Sequence, residues 1–222
     1  MQKNLDNNSH LYIHGPQFEK FLQGQLTCDI KSLAATPILA AHCNPKGRII
    51  SLFWIYRFQE GVLLQMPSDL ITIAIEHLNK YRVFFKASID NIDQPIDLPD
   101  LLQLSRLDKI NRKIPTLYAA TSELFLPHRI NLTDFGGVSF NKGCYTGQEI
   151  IARMEYRGEV KHHLYRAITS QVFQPGDVLK NGAVVVDSIL GAEYPIALVT
   201  MKDEDTLPFA TPDFLDLTKE ML

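Results

Sequence analysis

One short segment of the 222-residue chain gathers side chains able to do chemistry: Lys142, Gly143, Cys144, Tyr145, Thr146, Gly147, Gln148 and Glu149 in succession. Thr146 and Glu149 have the spacing of a capping box, immediately before the apolar positions Ile150, Ile151 and Met154. The spacing predicts a helix with Thr146 as its N-cap, ending near Gly158. The Thr146 hydroxyl would accept from the Glu149 amide, and the Glu149 carboxylate from the Thr146 amide. Cys144 would then stand two residues before the cap, near the positive end of the helix dipole, with Lys142 adding a cation. Both features favour thiolate over thiol. Cys144 and Lys142 are therefore the catalytic candidates. Gln148 and Glu149 would order the helix start, and Gly143 and Gly147 would leave the backbone open to a ligand.

The competing reading is a small buried hydrophobe, the commonest fate of an unpaired cysteine; Cys28 and Cys43 are assigned to it. Papain-like catalysis would need a histidine beside the thiolate. Of the seven histidines, His162-His163 opens a predicted strand and reads as surface imidazole. Three cysteines without a C-x-x-C pair form neither a disulfide framework nor a zinc ribbon, and no His/Cys/carboxylate cluster has metal-ligand spacing. A reducing cytoplasm is the expectation.

The elements that must position this segment can be read in outline. His10–His14 is strand-like, and Gly15-Pro16 opens a helix carrying Phe18, Phe21 and Leu22. The runs 38–43 and 48–58 flank Asn44-Pro45-Lys46-Gly47, which suits a type I turn and predicts a hairpin. Gln59-Glu60-Gly61 turns into a strand over 62–66. Ser68 is the expected N-cap of a helix with an apolar stripe at Leu70, Ile71, Ala74, Ile75 and Leu78. A strand is expected over 83–92, and the Pro/Asp-rich stretch 94–100 marks a junction. Beyond Gly158, short β-type runs at 164–168, 183–186 and 195–201 predict a small sandwich or barrel, with a tail over 211–222 read as loop and weak helix. The fold class is α+β: a core over 1–158 and a β appendix over 159–222.

Net charge of −3 argues against an electrostatically driven nucleic-acid or membrane binder. The apolar run Ile49–Tyr56 is too short to span a bilayer, and the polar start shows no secretory leader.

Four blocks, in order, resemble the YgfZ family, folate-binding proteins related to the T-protein of the glycine cleavage system. They are residues 21–29 (FLQGQLTCD), 40–48 (AAHCNPKGR), 135–140 (FGGVSF) and 142–149 (KGCYTGQE). The resemblance covers nearly the whole chain. It implies a folate-pocket core followed by a small β-barrel, tetrahydrofolate as ligand, and a role in making or repairing iron–sulfur enzymes, including those that thiolate tRNA. Iron–sulfur client proteins would be the partners.

Two departures stand out. The chain is shorter than usual members, with the missing material around 93–103, so the pocket is expected to be reduced or open and completed by a second copy. The family's Arg-x-Glu ligand segment is here Arg106-Leu107-Asp108, one methylene shorter at the acid, so Arg106 and Asp108 are the implied folate contacts. The aminomethyltransferase reading is disfavoured, because Ser51 and Leu52 stand where the T-protein has aspartates and neither can act as a carboxylate. What remains is a folate-dependent accessory factor in which Cys144 takes up a sulfur or one-carbon adduct beside the folate, with Lys142 holding the anion. The alternatives are a non-catalytic binding module or direct RNA binding along Lys142, Arg153, Arg157 and Lys161, the last expected least.

Overall fold

Residues 49–56 are all buried, so neither face of that strand meets solvent, which is why the sequence there is apolar without alternation. The computed structural model describes residues 7–34, 36–92, 96–211 and 214–218. A first sheet is formed by β1 (Asn8–His14), β2 (Ile38–Cys43), β3 (Ile49–Phe58), β4 (Gly61–Pro67) and β5 (Ser88–Ile92) in the order β2-β3-β4-β1-β5, with every pairing antiparallel. The predicted turn between β2 and β3 is closed by Gly47 N–H donating to Asn44 O at 2.9 Å. Helix α1 (Phe18–Gln23) buries Phe18, Phe21 and Leu22, and α2 (Ile71–Arg82) buries Ile71, Ala74 and Leu78, as their spacing requires.

Helix α3 (Arg106–Asn111) follows the junction, and α4 (Gln148–Arg157) follows the cysteine block. A second sheet contains β6 (His162–Thr169), β7 (Val184–Leu190), β8 (Pro195–Lys202) and β9 (Leu215–Leu217) in the order β7-β8-β6-β9, with the single turn α5 (Asp203–Thr206) between β8 and β9. The expected barrel is thus found as an open sheet; among the described residues no pairing joins β7 to β9. The two sheets share a core, since Leu164, Val186 and Leu198 belong to the same buried cluster as Phe53 and Ile55. A polar clamp reinforces this contact. Asp187 of β7 accepts from Arg106 Nε at 2.8 Å, from an Arg106 terminal nitrogen and, at 3.0 Å, from the Tyr118 hydroxyl.

Four local expectations are corrected. Ser68 does not cap α2: it opens a 3-10 turn (Ser68–Leu70), and its hydroxyl donates to Asn7 O at 3.1 Å. Strand β5 starts at Ser88 rather than at residue 83, because the preceding residues turn and leave Val83 and Phe84 exposed. The tail contains β9, which pairs in parallel with β6 and buries Leu215 and Leu217, so a strand stands where loop and weak helix were expected. The junction is more than a linker from residue 96 on, because a 3-10 turn (Asp100–Gln103) buries Leu102; residues 93–95 of that expectation, and 212–213 and 219–222 of the tail, lie outside the described residues.

Candidate functional site

The four motif blocks, far apart in sequence, meet around Thr27. Its amide donates to Ala41 O at 2.9 Å, and its hydroxyl accepts from Ala41 N–H at 3.0 Å while donating to Gly137 O at 2.6 Å. Its own carbonyl accepts from Ser139 N–H at 2.9 Å. Fully buried, Thr27 pairs with four backbone groups from two other blocks. The cysteine block joins the same knot through Thr146 N–H, which donates to Gly24 O at 3.2 Å.

Helix α4 does not begin as its capping spacing predicts. Its N-cap is Gly147, at φ 85°, and no side chain caps it. The chain passes so close to the β2–β3 turn here that a Cβ on Gly147 would lie 2.6 Å from Asn44 O. This close approach, which only glycine tolerates, fixes the entry to the helix and overrides Thr146. The Glu149 carboxylate instead lies 3.7 Å from Arg153. Cys144 is three residues before the cap rather than two. It is exposed, as a reactive sulfur must be, whereas Cys28 and Cys43 are buried.

Lys142 is turned away from the role expected of it. Its Nζ donates to Leu26 O at 2.8 Å and Cys28 O at 2.7 Å and lies 5.0 Å from the Tyr145 ring centroid. Burial of the ammonium pulls its pKa down to about 8, opposed by the nearby Cys28 and Asp29. Lys142 therefore fastens the cysteine loop to the 26–28 segment, and its ammonium is committed to carbonyls rather than held ready for an anion. Its loss from the proposed basic strip leaves Arg153, Arg157 and Lys161 interleaved with Glu149, Glu155 and Glu159.

A cavity of about 550 Å3 opens between the first sheet, the 98–109 segment and β7. Leu98, Leu102, Leu104 and Ile189 give it apolar walls, and Asn8, His10, Gln65, Arg106 and Lys109 are among its polar groups. The shortened junction thus supplies a wall. Arg106 lines the cavity, as the resemblance implies, and is held in place by Asp187. Asp108 does not line it: its carboxylate accepts from the Ser105 hydroxyl at 2.6 Å, and its amide donates to Ser105 Oγ at 3.1 Å, closing the N-terminus of α3. No residue of 142–149 lines the cavity either, so Cys144 and the cavity are separate features.

Sequence reasoning missed three polar residues. Gln65 is the polar exception in the apolar run 62–66, and Asp187 is the charged exception within Val184–Leu190; each is a signal that was there to be read. His10 carried none. Its Nε2 and Gln65 Oε1 are buried without hydrogen-bond partners, and burial lowers the His10 pKa.

No family model matches the chain. The tRNA-modifying protein YgfZ of Pectobacterium carotovorum is 30% identical over 243 aligned positions, which take in 79% of this chain and 73% of that protein. That of Colwellia psychrerythraea is 28% identical, with 73% of this chain and 69% of that protein covered. Since 79% of 222 residues is about 175, about 68 of the 243 positions have no counterpart here, in keeping with a shortened core. The aminomethyltransferase T of the glycine cleavage system from Bartonella henselae shares the fold, with a TM-score of 0.68 and 13% identity over 93% of this chain and 78% of that one. Identity and coverage, together with the four blocks gathered at Thr27, establish that the chain belongs to the YgfZ family.

Proposed function

We propose that this protein binds tetrahydrofolate in the cavity between its two sheets and acts, as a YgfZ-type factor in tRNA modification, in the assembly or repair of iron–sulfur proteins that include tRNA-thiolating enzymes. The observation that carries this reading is the cavity itself. Its volume of about 550 Å3 suits a small-molecule site, and leucines wall much of it. Asn8, His10, Gln65, Arg106 and Lys109 add polar groups to this lining, so a ligand carrying its own donors and acceptors suits it. Leu98, Leu102, Leu104 and Ile189 would cover the faces of a ring, while Arg106 and Lys109 suit carboxylates. Tetrahydrofolate, when bound, would supply a one-carbon carrier.

Cys144 acts, in this reading, at the protein surface toward a client rather than on the folate, because the cysteine block does not reach the cavity. Glycine-cleavage chemistry stays disfavoured: Ser51 and Leu52 are buried in β3, and no carboxylate takes the place of the T-protein's acid there. In the shortened chain a second copy would complete the cavity wall, which sedimentation with and without tetrahydrofolate would reveal as a ligand-promoted dimer.

Calorimetric titration with tetrahydrofolate tests the ligand, and absence of binding rejects it. In a strain lacking the protein, Cys144→Ala should fail to restore iron–sulfur enzyme activity while binding folate like wild type. Full restoration would select the non-catalytic binding module instead.

A further inference from the structure

The end of α2 and the turn that leads to β5 read Lys80-Tyr81-Arg82-Val83-Phe84-Phe85-Lys86. Tyr81, Val83 and Phe84 are 37%, 67% and 77% exposed, and Lys80 and Lys86 on either side are exposed as well. The turn is nonetheless firmly built. Gln17 N–H donates to Lys86 O at 3.0 Å, and Lys86 N–H donates to Gln17 Oε1 at 2.8 Å. Arg82 is drawn inward, its Nε donating to Asn79 Oδ1 at 2.6 Å and a terminal nitrogen to Ala87 O at 3.2 Å. The Phe85 ring centroid lies 5.7 Å from that of Phe21. Of two adjacent phenylalanines, one is thus anchored and the other held out in water. Lone exposed apolar residues need no explanation, but three gathered on one pinned turn mark an interaction site.

Resting on the reading of Cys144 as acting toward a client, we propose that this turn is the anchor on which the client docks, and that the client presents an apolar pocket rimmed by carboxylates. Phe84 fills the pocket, in the manner of an aromatic hot spot. Val83 and Tyr81 pack at its edge, and Lys80 and Lys86 meet the rim. No residue from 80 to 86 is acidic, so the charge of the turn selects an acidic partner surface and repels a basic one. The turn and Cys144 are tied to opposite ends of one helix. Gln17 and Gly24 cap α1, and Gly24 O accepts from Thr146 N–H, two residues beyond Cys144. The seven-residue step from Gln17 to Gly24 is about 10 Å of helix. An interface of ordinary size, about 800 Å2 per partner, is wide enough to take in both. Docking at Phe84 therefore holds a client beside the exposed thiol.

The test uses the full chain in a strain lacking the protein. Phe84→Ser and Lys80→Glu/Lys86→Glu, at wild-type expression, should each lower the restored iron–sulfur enzyme activity fivefold or more, whereas Lys80→Arg/Lys86→Arg should restore it fully. Both impaired variants should keep the wild-type urea midpoint and Cys144 modification rate. Tenfold higher expression should recover their activity, since mass action offsets a weakened anchor. A lowered midpoint, or a loss that higher expression does not recover, would make the turn structural and overturn the proposal, as would full restoration by both variants. Phosphatidylglycerol vesicles that bind wild type but not Phe84→Ser, or a dimer that Phe84→Ser abolishes, would assign the turn to a lipid surface or a second copy and overturn it equally. Failure of the wild-type chain itself to restore activity overturns the client reading together with the proposal.

Discussion

Cys28, Cys43 and Cys144 share a side chain and differ only in surroundings. Burial pushes the Cys28 thiol up to about 12 and the Cys43 thiol higher still, whereas Cys144 is exposed. A native-state titration with a chromogenic disulfide reagent should therefore modify one thiol per chain rapidly, and the other two after denaturant is added; Cys144→Ala should abolish the fast phase. Rapid reaction of more than one thiol would show that the 26–28 or 40–43 segment opens readily. His42 gives a second prediction at this scale. It is 1% exposed, and burial, reinforced by His77 and Lys80, lowers its pKa to about 3. The unfolded chain takes up this proton below about 6.5, whereas the native one resists until about 3. The stability that neutral His42 contributes is thus fully present above pH 6.5 and drains away on acidification by about 1.4 kcal/mol per pH unit. Urea midpoints for wild type and His42→Leu between pH 7 and 5 should fall more steeply for wild type; parallel slopes would show that this imidazole is protonated in the folded protein.

The β2–β3 hairpin shows what local chemistry can decide. Asparagine, proline and glycine at fixed offsets specify the turn, and the bond from Gly47 to Asn44 forms as that pattern demands. The start of α4 shows the opposite. A capping box is written in Thr146 and Glu149 and is not used, because the helix must enter past the carbonyl of Asn44, more than a hundred positions away. Gly147→Ala should cost about 1–3 kcal/mol through its positive φ and displace the helix start. A reduced urea midpoint together with altered Cys144 accessibility would bear this out; an unchanged midpoint would show that the turn can yield. Strand β9 was likewise illegible, since a three-residue strand has little pattern of its own and exists because β6 offers it an edge.

Across the whole molecule, the clamp between Arg106 of α3 and Asp187 of β7 ties the second sheet to the helix that follows the junction and sets one side of the cavity. Their side chains are 14% and 1% exposed, and burial raises the Asp187 carboxyl pKa, with Arg106 and Tyr118 opposing. Removing one partner leaves the other charge stranded, so Asp187→Ala should lose about 3–5 kcal/mol in chemical denaturation. The double variant Arg106→Met/Asp187→Leu should recover much of that loss while still binding folate more weakly. A double variant no more stable than Asp187→Ala would mean that packing, not the uncompensated guanidinium, sets the cost.

By itself the sequence determined the mixed α/β class, the strands of the first hairpin, the amphipathic helices, the exposed-cysteine candidate and the family, because these depend on periodicity, turn chemistry and contiguous motifs. Tertiary structure alone decided that Lys142 holds two carbonyls, that Asp108 caps its own helix, and that His10 and Gln65 face one cavity that the cysteine block does not enter. The physical reason is common to all three. A polar side chain takes its partner from whatever the fold brings within about 3 Å, and sequence spacing does not encode which distant backbone that is.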